Sequence, residues 1–266
     1  AAAAAAPLGE KGALAVEMMD YASLVSYMGK SPDMPAGTTA MLVDFGAGSP
    51  EEMAHLTSSL TPEFKKLASL SRMEPFTTTV VERAALWKMR DGIFPCVAGA
   101  RAPGATVILE DIAAPVSELD RLVDGVQSLF KKYGYDGAIF GHARAGNIHP
   151  MLTSTMNDER DTSRFRNFMD DMVTHVLSLD GSLKGEHGTG RAIAPFVARE
   201  WGDDIYALMK RLKRLADPDN LLNPGVIINS DPECFMGPMK EMTLFGRSIG
   251  YDHADKCMEC GYWGQV

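Results

Sequence analysis

The chain reads as an α+β domain, a mainly antiparallel sheet covered by helices, on three observations. Strand and helix patterns alternate along its length, one segment folds back as a hairpin between Gly137 and Leu152, and no repeated βαβ unit carries a Gly-rich phosphate fingerprint. Gly185-Glu186-His187-Gly188-Thr189-Gly190 has neither the G-x-G-x-x-G order nor the P-loop Lys-Ser/Thr, which excludes a nucleotide loop there.

The elements follow in order. Leu14 to Met19 is an apolar strand that leads into a helix from Tyr21 to Met28, ended by Gly29. Thr38 to Phe45 is the next strand. Ser49 then caps a helix that carries Glu51 and Glu52 in its first turn and reaches about Leu60. A short extended segment, Phe76 to Val81, precedes a helix from Glu82 to Arg90 that Gly92 is expected to stop. Ala105 to Ile112 is a strand, and Pro115 to Tyr133 is a long amphipathic helix with Leu119, Leu122, Val123, Val126, Leu129 and Phe130 on its apolar face. After the hairpin comes a helix from Asp158 to Leu179, then a helical stretch from Ala192 to Leu215 that Asp217-Pro218-Asp219 ends. Past Asn229 the sequence is irregular and loop-rich.

With 266 residues and 45% hydrophobic content, the chain can bury a large core. The expected organisation is an unassigned segment 1–12, a domain over 13–229, and a linker with a Cys-x-x-Cys tail over 230–266. The alanine run Ala1 to Ala6 is set aside as a terminus, a processing remnant or placeholder residues. A net charge of −9 lacks the footprint of a nucleic-acid binder, and no apolar run approaches the ~18 residues of a membrane span. Four cysteines, Cys96, Cys234, Cys257 and Cys260, are too few for a disulfide scaffold, so a reducing compartment is expected. The seventeen methionines are most simply core filler.

His142 and His149 flank Ala143-Arg144-Ala145-Gly146-Asn147-Ile148. Seven residues apart on one strand, they would point to opposite faces. If the chain instead reverses at Ala145-Gly146, His142 pairs with His149 across a hairpin, and their Cβ atoms come to roughly 5 Å. Two imidazoles then need one carboxylate to make a three-ligand metal site with an open position, and Glu186 is the candidate. The alternative is two satisfied polar groups at a sheet edge. His175, within a helical stretch, reads as structural.

Four motifs carry a resemblance: Trp87-x-x-Arg90-x-Gly92, the His142 to His149 segment, Lys184-Gly185-Glu186-His187-Gly188-Thr189-Gly190-Arg191, and Asp217-Pro218-Asp219-Asn220-Leu221-Leu222-Asn223-Pro224-Gly225. In this order they resemble FAD-linked oxidases of the vanillyl-alcohol oxidase superfamily, and specifically the C-terminal cap or substrate domain of D-lactate and D-2-hydroxyglutarate dehydrogenases. The resemblance covers roughly residues 13 to 262. It implies an FAD-dependent oxidation of a D-2-hydroxy acid to the 2-oxo acid, with hydride passing to flavin N5. It assigns His142, His149 and Glu186 to a divalent metal, commonly zinc, His187 to general base and Arg90 to the substrate carboxylate. Asn223 is placed against the flavin, although on its own it reads as a turn residue. For Arg90 the competing reading is an arginine at a helix C-terminus, favoured by the dipole.

The chain departs from the family pattern in four places. Arg144 and Ala145 stand where a glycine and an acidic residue are common, and no lysine lies near Ile108 to Asp111 to meet a second carboxylate. Cys257-Met258-Glu259-Cys260-Gly261 resembles the start of an iron–sulfur motif, but Trp263 stands where a third cysteine belongs, and two thiolates cannot complete a cluster. The flavin domain is absent, so a flavin-domain polypeptide or a larger complex is the expected partner, in cytoplasm or mitochondrion and peripheral to a respiratory membrane. The competing functions are a non-catalytic structural or assembly subunit, and a metal hydrolase acting through bound water.

Overall fold

The computed structural model of the chain describes residues 2–64, 72–102, 105–156 and 158–236. A 3-10 turn at Ala2–Ala4 leads into α1 (Ala5–Glu10), then β1 (Ala13–Met19), α2 (Tyr21–Met28), β2 (Ala40–Phe45), α3 (Pro50–Phe64) and α4 (Val80–Gly99). There follow β3 (Thr106–Leu109), β4 (Ile112–Ala113), α5 (Leu119–Tyr133), β5 (Ala138–His142), β6 (Asn147–Ser154), α6 (Glu159–Ser178), α7 (Val197–Trp201) and α8 (Asp203–Ala216). The strands make one antiparallel sheet in the order β2-β1-β5-β6-β3, with β4 also on β6. The α+β class read from the sequence is therefore the class observed.

Side-chain alternation along the strands divides the interior in two. Val16, Met18, Ile139, Ile148 and Leu152 face α5 and α6, where Leu122, Val126 and Phe130 meet Phe165, Phe168, Met172 and Val176. The rings of Phe130 and Phe168 stack 5.8 Å apart. Each such side chain, fully buried, is worth about 1.5–3 kcal/mol, which is why the two most strongly patterned helices cover this face. Met19, Phe140 and Met151 point the other way, into a smaller core with Leu24 of α2 and Ile93 of α4. The functional side chains lie on this second face.

Several boundaries differ from the sequence reading, each for a local reason. Val80 and Val81 are helical, because the Thr79 side chain accepts from the Glu82 backbone N–H and starts α4 there. Gly92 does not stop α4, which runs through it and through Pro95 to Gly99. The Tyr27 ring of α2 packs over Gly92, where a Cβ would sit 2.5 Å from its Cε2. The single strand expected from Ala105 to Ile112 is broken at Glu110-Asp111, whose buried carboxylates turn to a later loop. Gly202, at φ 80°, separates α7 from α8 in what the sequence suggested was one helical stretch.

The alanine run is part of the fold. Ala2, Ala5 and Leu8 are buried against Val16, Ile139 and the α5 face, so residues 2–10, set outside the domain by sequence, pack into its core. His175 bonds the Arg121 carbonyl at 3.2 Å, tying α6 to α5. Among the described residues no helix is long and apolar enough to cross a membrane. Cys257 and Cys260 lie outside the described residues.

Candidate metal centre

The hairpin brings the two histidines together in a different register from the one expected. Phe140, not His142, pairs with His149, because the reversal uses four residues, with Ala143–Ala145 in a 3-10 turn and Gly146 at φ 69°. His142 is two residues beyond Phe140 and so remains on the face of His149, as its diagonal neighbour. The two rings lie 5.3 Å apart, near perpendicular.

Glu186 completes the group. Its Oε1 is 3.0 Å from His142 Nε2 and 3.3 Å from His149 Nε2. Two imidazole nitrogens and one carboxylate oxygen within 4.8 Å of one another suit a divalent cation with an open position. Burial pushes the His149 imidazole down to about 4, so its ring is neutral and its lone pair free at neutral pH. The Glu17 hydrogen bond raises His142, against the opposing effect of burial. A second group, Asp111, His149 and His187, also converges. Asp111 is poorly placed to act as a ligand, because its two oxygens already accept three N–H bonds, from Glu186 N at 2.7 Å, His187 N at 2.7 Å and Asn147 Nδ2 at 2.6 Å.

Those bonds set the Glu186 loop. Asp111 is fully buried, and burial alone would raise its carboxyl, but the backbone N–H of His187 and its other donors bring it below the usual value. Lys184 pairs with the buried Glu110 at 2.9 Å, and the Gly185 N–H bonds the Asp111 carbonyl, so neighbouring acids hold consecutive residues of the loop. Only glycine fits at 185, where a Cβ would meet Asn147 Nδ2 at 2.0 Å. Asp111→Ala is expected to destabilise the fold by about 2–4 kcal/mol, since three N–H groups, those of Glu186, His187 and the Asn147 side chain, lose this acceptor. Urea unfolding of variant and wild type measures this, and a loss under about 0.5 kcal/mol would mean that water replaces the carboxylate.

His187 follows directly. Its ring stacks on His149 at 4.9 Å and 6°, with Nε2 3.7 Å from Glu186 Oε1 and the side chain one-third exposed. Arg90 reaches the centre from α4, with Nε donating to Glu17 at 2.7 Å and one terminal nitrogen 3.3 Å from His142 Nδ1. Because α4 continues to Gly99, Arg90 is in mid-helix and the C-terminal dipole does not account for it. Asn223 is not brought into this cluster. It is exposed, in the left-handed region at φ 45°, in a turn joined to the Glu186 loop by the Ile227 N–H to Gly190 carbonyl bond.

Glu17 and Asp111 were not singled out from the sequence. Their signal was a charged residue inside a strand of apolar neighbours and an acidic pair interrupting another, since a buried carboxylate must find partners. A cavity of about 520 Å³ is lined by Asp20, Asp120 and Asp124 with no basic side chain, so it does not suit a diphosphate.

A family model described as FAD linked oxidases, C-terminal domain, matches residues 1–227. Glycolate oxidase subunit GlcD of Bacillus subtilis (strain 168) is 33% identical over 126 residues, 47% of this chain and 27% of that protein. D-lactate dehydrogenase [cytochrome] 1, mitochondrial, of Saccharomyces cerevisiae is 28% identical over 197 residues, 72% of this chain and 32% of that protein. The chain thus spans about a third or less of these curated relatives. In fold it is similar to 4-ethylphenol oxidase from Gulosibacter chungangensis, with a TM-score of 0.56 at 11% identity over 80% of this chain and 47% of that one.

Proposed function

The chain belongs to the family of FAD-linked oxidase C-terminal domains, and from that premise we propose that it is the substrate- and metal-binding part of an FAD-dependent D-2-hydroxy-acid dehydrogenase. The observation that carries the reading is the convergence of His142, His149 and Glu186, with Arg90 and His187 on the same face. His142 Nε2, His149 Nε2 and Glu186 Oε1 would hold a divalent metal; two nitrogens and one oxygen suit Zn²⁺, Fe²⁺ or Mn²⁺, and zinc is the one that the family resemblance implies. When bound, that metal supplies a Lewis acid toward the substrate hydroxyl. FAD supplies the hydride acceptor, held by a flavin-domain polypeptide or a further part of the protein, with the Asn223 turn as this chain's edge toward it.

The remaining roles belong to the chain's own side chains. Arg90 is tied to Glu17 by Nε, with one terminal nitrogen beside the His142 ring, and its planar fork suits the substrate carboxylate. His187, unshared with the three ligand atoms and partly open to solvent, receives the hydroxyl proton. Lys184 is committed to Glu110 and so is not a partner for a second carboxylate. That favours a lactate-like monocarboxylate over a dicarboxylate. The setting is a reducing compartment, cytoplasm or mitochondrion.

The test restores the flavin partner and adds each enantiomer in turn. D-lactate should reduce an artificial electron acceptor and L-lactate should not, since only one face of the substrate carbon can present its hydrogen. Equal turnover of both enantiomers would overturn the reading. Inactivity with metal and flavin both bound would favour the alternative, a structural or assembly subunit derived from this family.

A further inference from the structure

We infer that Glu17 is a positioning residue that orients the ligand His142 and the arginine Arg90 with one carboxylate, an inference that rests on the metal reading above. Glu17 lies on β1 directly opposite His142 on β5, and its side chain is 5% exposed. Oε1 meets His142 Nδ1 at 2.8 Å, and Oε2 accepts from Arg90 Nε at 2.7 Å. Both oxygens are therefore in use, and each serves a different part of the site.

A buried carboxylate in a strand of apolar residues costs free energy unless its partners are charged or strongly donating. Here the partners are the His142 ring and the Arg90 guanidinium, one at each oxygen. Oε1, an acceptor 2.8 Å from Nδ1, places the ring hydrogen on that nitrogen. The Nε2 lone pair then faces Glu186 Oε1, 3.0 Å away. This is the carboxylate–imidazole arrangement that fixes the tautomer and ring orientation of a metal-binding histidine. The other carboxylate oxygen holds the guanidinium of Arg90 by Nε, and one terminal nitrogen of Arg90 lies at the His142 ring. Among the described residues His149 has no equivalent bond, for its Nδ1 is buried without a hydrogen-bond partner there, with Asp111 Oδ1 3.6 Å away. Tautomer control at this centre thus rests on His142.

The test measures zinc affinity of the full chain by chelator competition, for wild type and Glu17→Gln. Glutamine keeps the size of the side chain but presents one oxygen and one NH2, so it cannot accept from His142 and Arg90 together. Zinc affinity should fall about 10- to 100-fold and the visible spectrum of the cobalt-loaded chain should shift, while the metal-free chain melts as a folded protein. Equal affinity in variant and wild type overturns this inference and leaves the metal reading standing. A wild-type chain that takes up no divalent metal overturns the metal reading and this inference with it. Should Glu17→Gln fail to fold, long-range ¹H–¹⁵N spectra of the zinc-loaded wild type decide. A proton on His142 Nδ1 supports the assignment, and a proton on Nε2 overturns it.

Discussion

Replacing Glu186 by alanine is expected to weaken zinc binding by about 10²- to 10³-fold with the fold unchanged. Four ligands hold a structural zinc with ~10–16 kcal/mol, roughly 2.5–4 kcal/mol each, and 1.4 kcal/mol is a factor of ten. The fold should survive because the Glu186 side chain is 49% exposed and its backbone N–H, the part that anchors the loop on Asp111, remains. His142 and His149 stay in place, since the register of β5 on β6 and the Glu17 contact do not involve Glu186. Chelator competition with circular dichroism as the folding control measures both terms. Undiminished affinity would put the metal on the other converging group, Asp111, His149 and His187, in spite of the N–H bonds that occupy Asp111.

Of the five residues expected to meet at the centre, local patterns carry His142 and His149 and make Glu186 the candidate carboxylate, while Arg90 and His187 enter with the family resemblance. The hairpin between Gly137 and Leu152 needs only alternation and a glycine able to take a positive φ, and Gly146 does so. The observed register differs by two residues from the expected one, because loop length cannot be read from the turn glycine alone. The difference did not separate the histidines, since a shift of two keeps a side chain on its face, whereas a shift of one would have turned His142 away. The continuation of α4 past Gly92 was hidden for another reason. A glycine in a helix costs about 1 kcal/mol against alanine, and that local cost is outweighed by the contact with Tyr27, a residue 65 positions earlier. Glu17 and Asp111 are of the same kind, for their partners are 125 and 75 positions away in sequence. Propensity and periodicity describe neighbours along the chain, and the supports of the site are neighbours across the sheet.

His187→Ala, assayed in the complete flavin-containing assembly, is expected to lower turnover with D-lactate by about 10²- to 10⁴-fold, the usual loss on removing a general base. Backbone bonds fix the position of this imidazole beside the ligand set without making it a ligand. The His187 N–H donates to Asp111 at 2.7 Å, and the ring, stacked 4.9 Å from His149, keeps Nε2 within 3.7 Å of Glu186 Oε1. A substrate hydroxyl bound at the open position of the three ligands would lie near that nitrogen. Alanine removes the proton acceptor and leaves the Asp111 clamp, so metal content and KM should change little while kcat falls. The stacking admits a competing account, in which His187 serves only to hold His149. That account predicts loss of zinc in parallel with loss of turnover, so metal analysis of the same preparation separates the two. Wild-type turnover at neutral pH would remove His187 from the chemistry, and the proton would then need another acceptor.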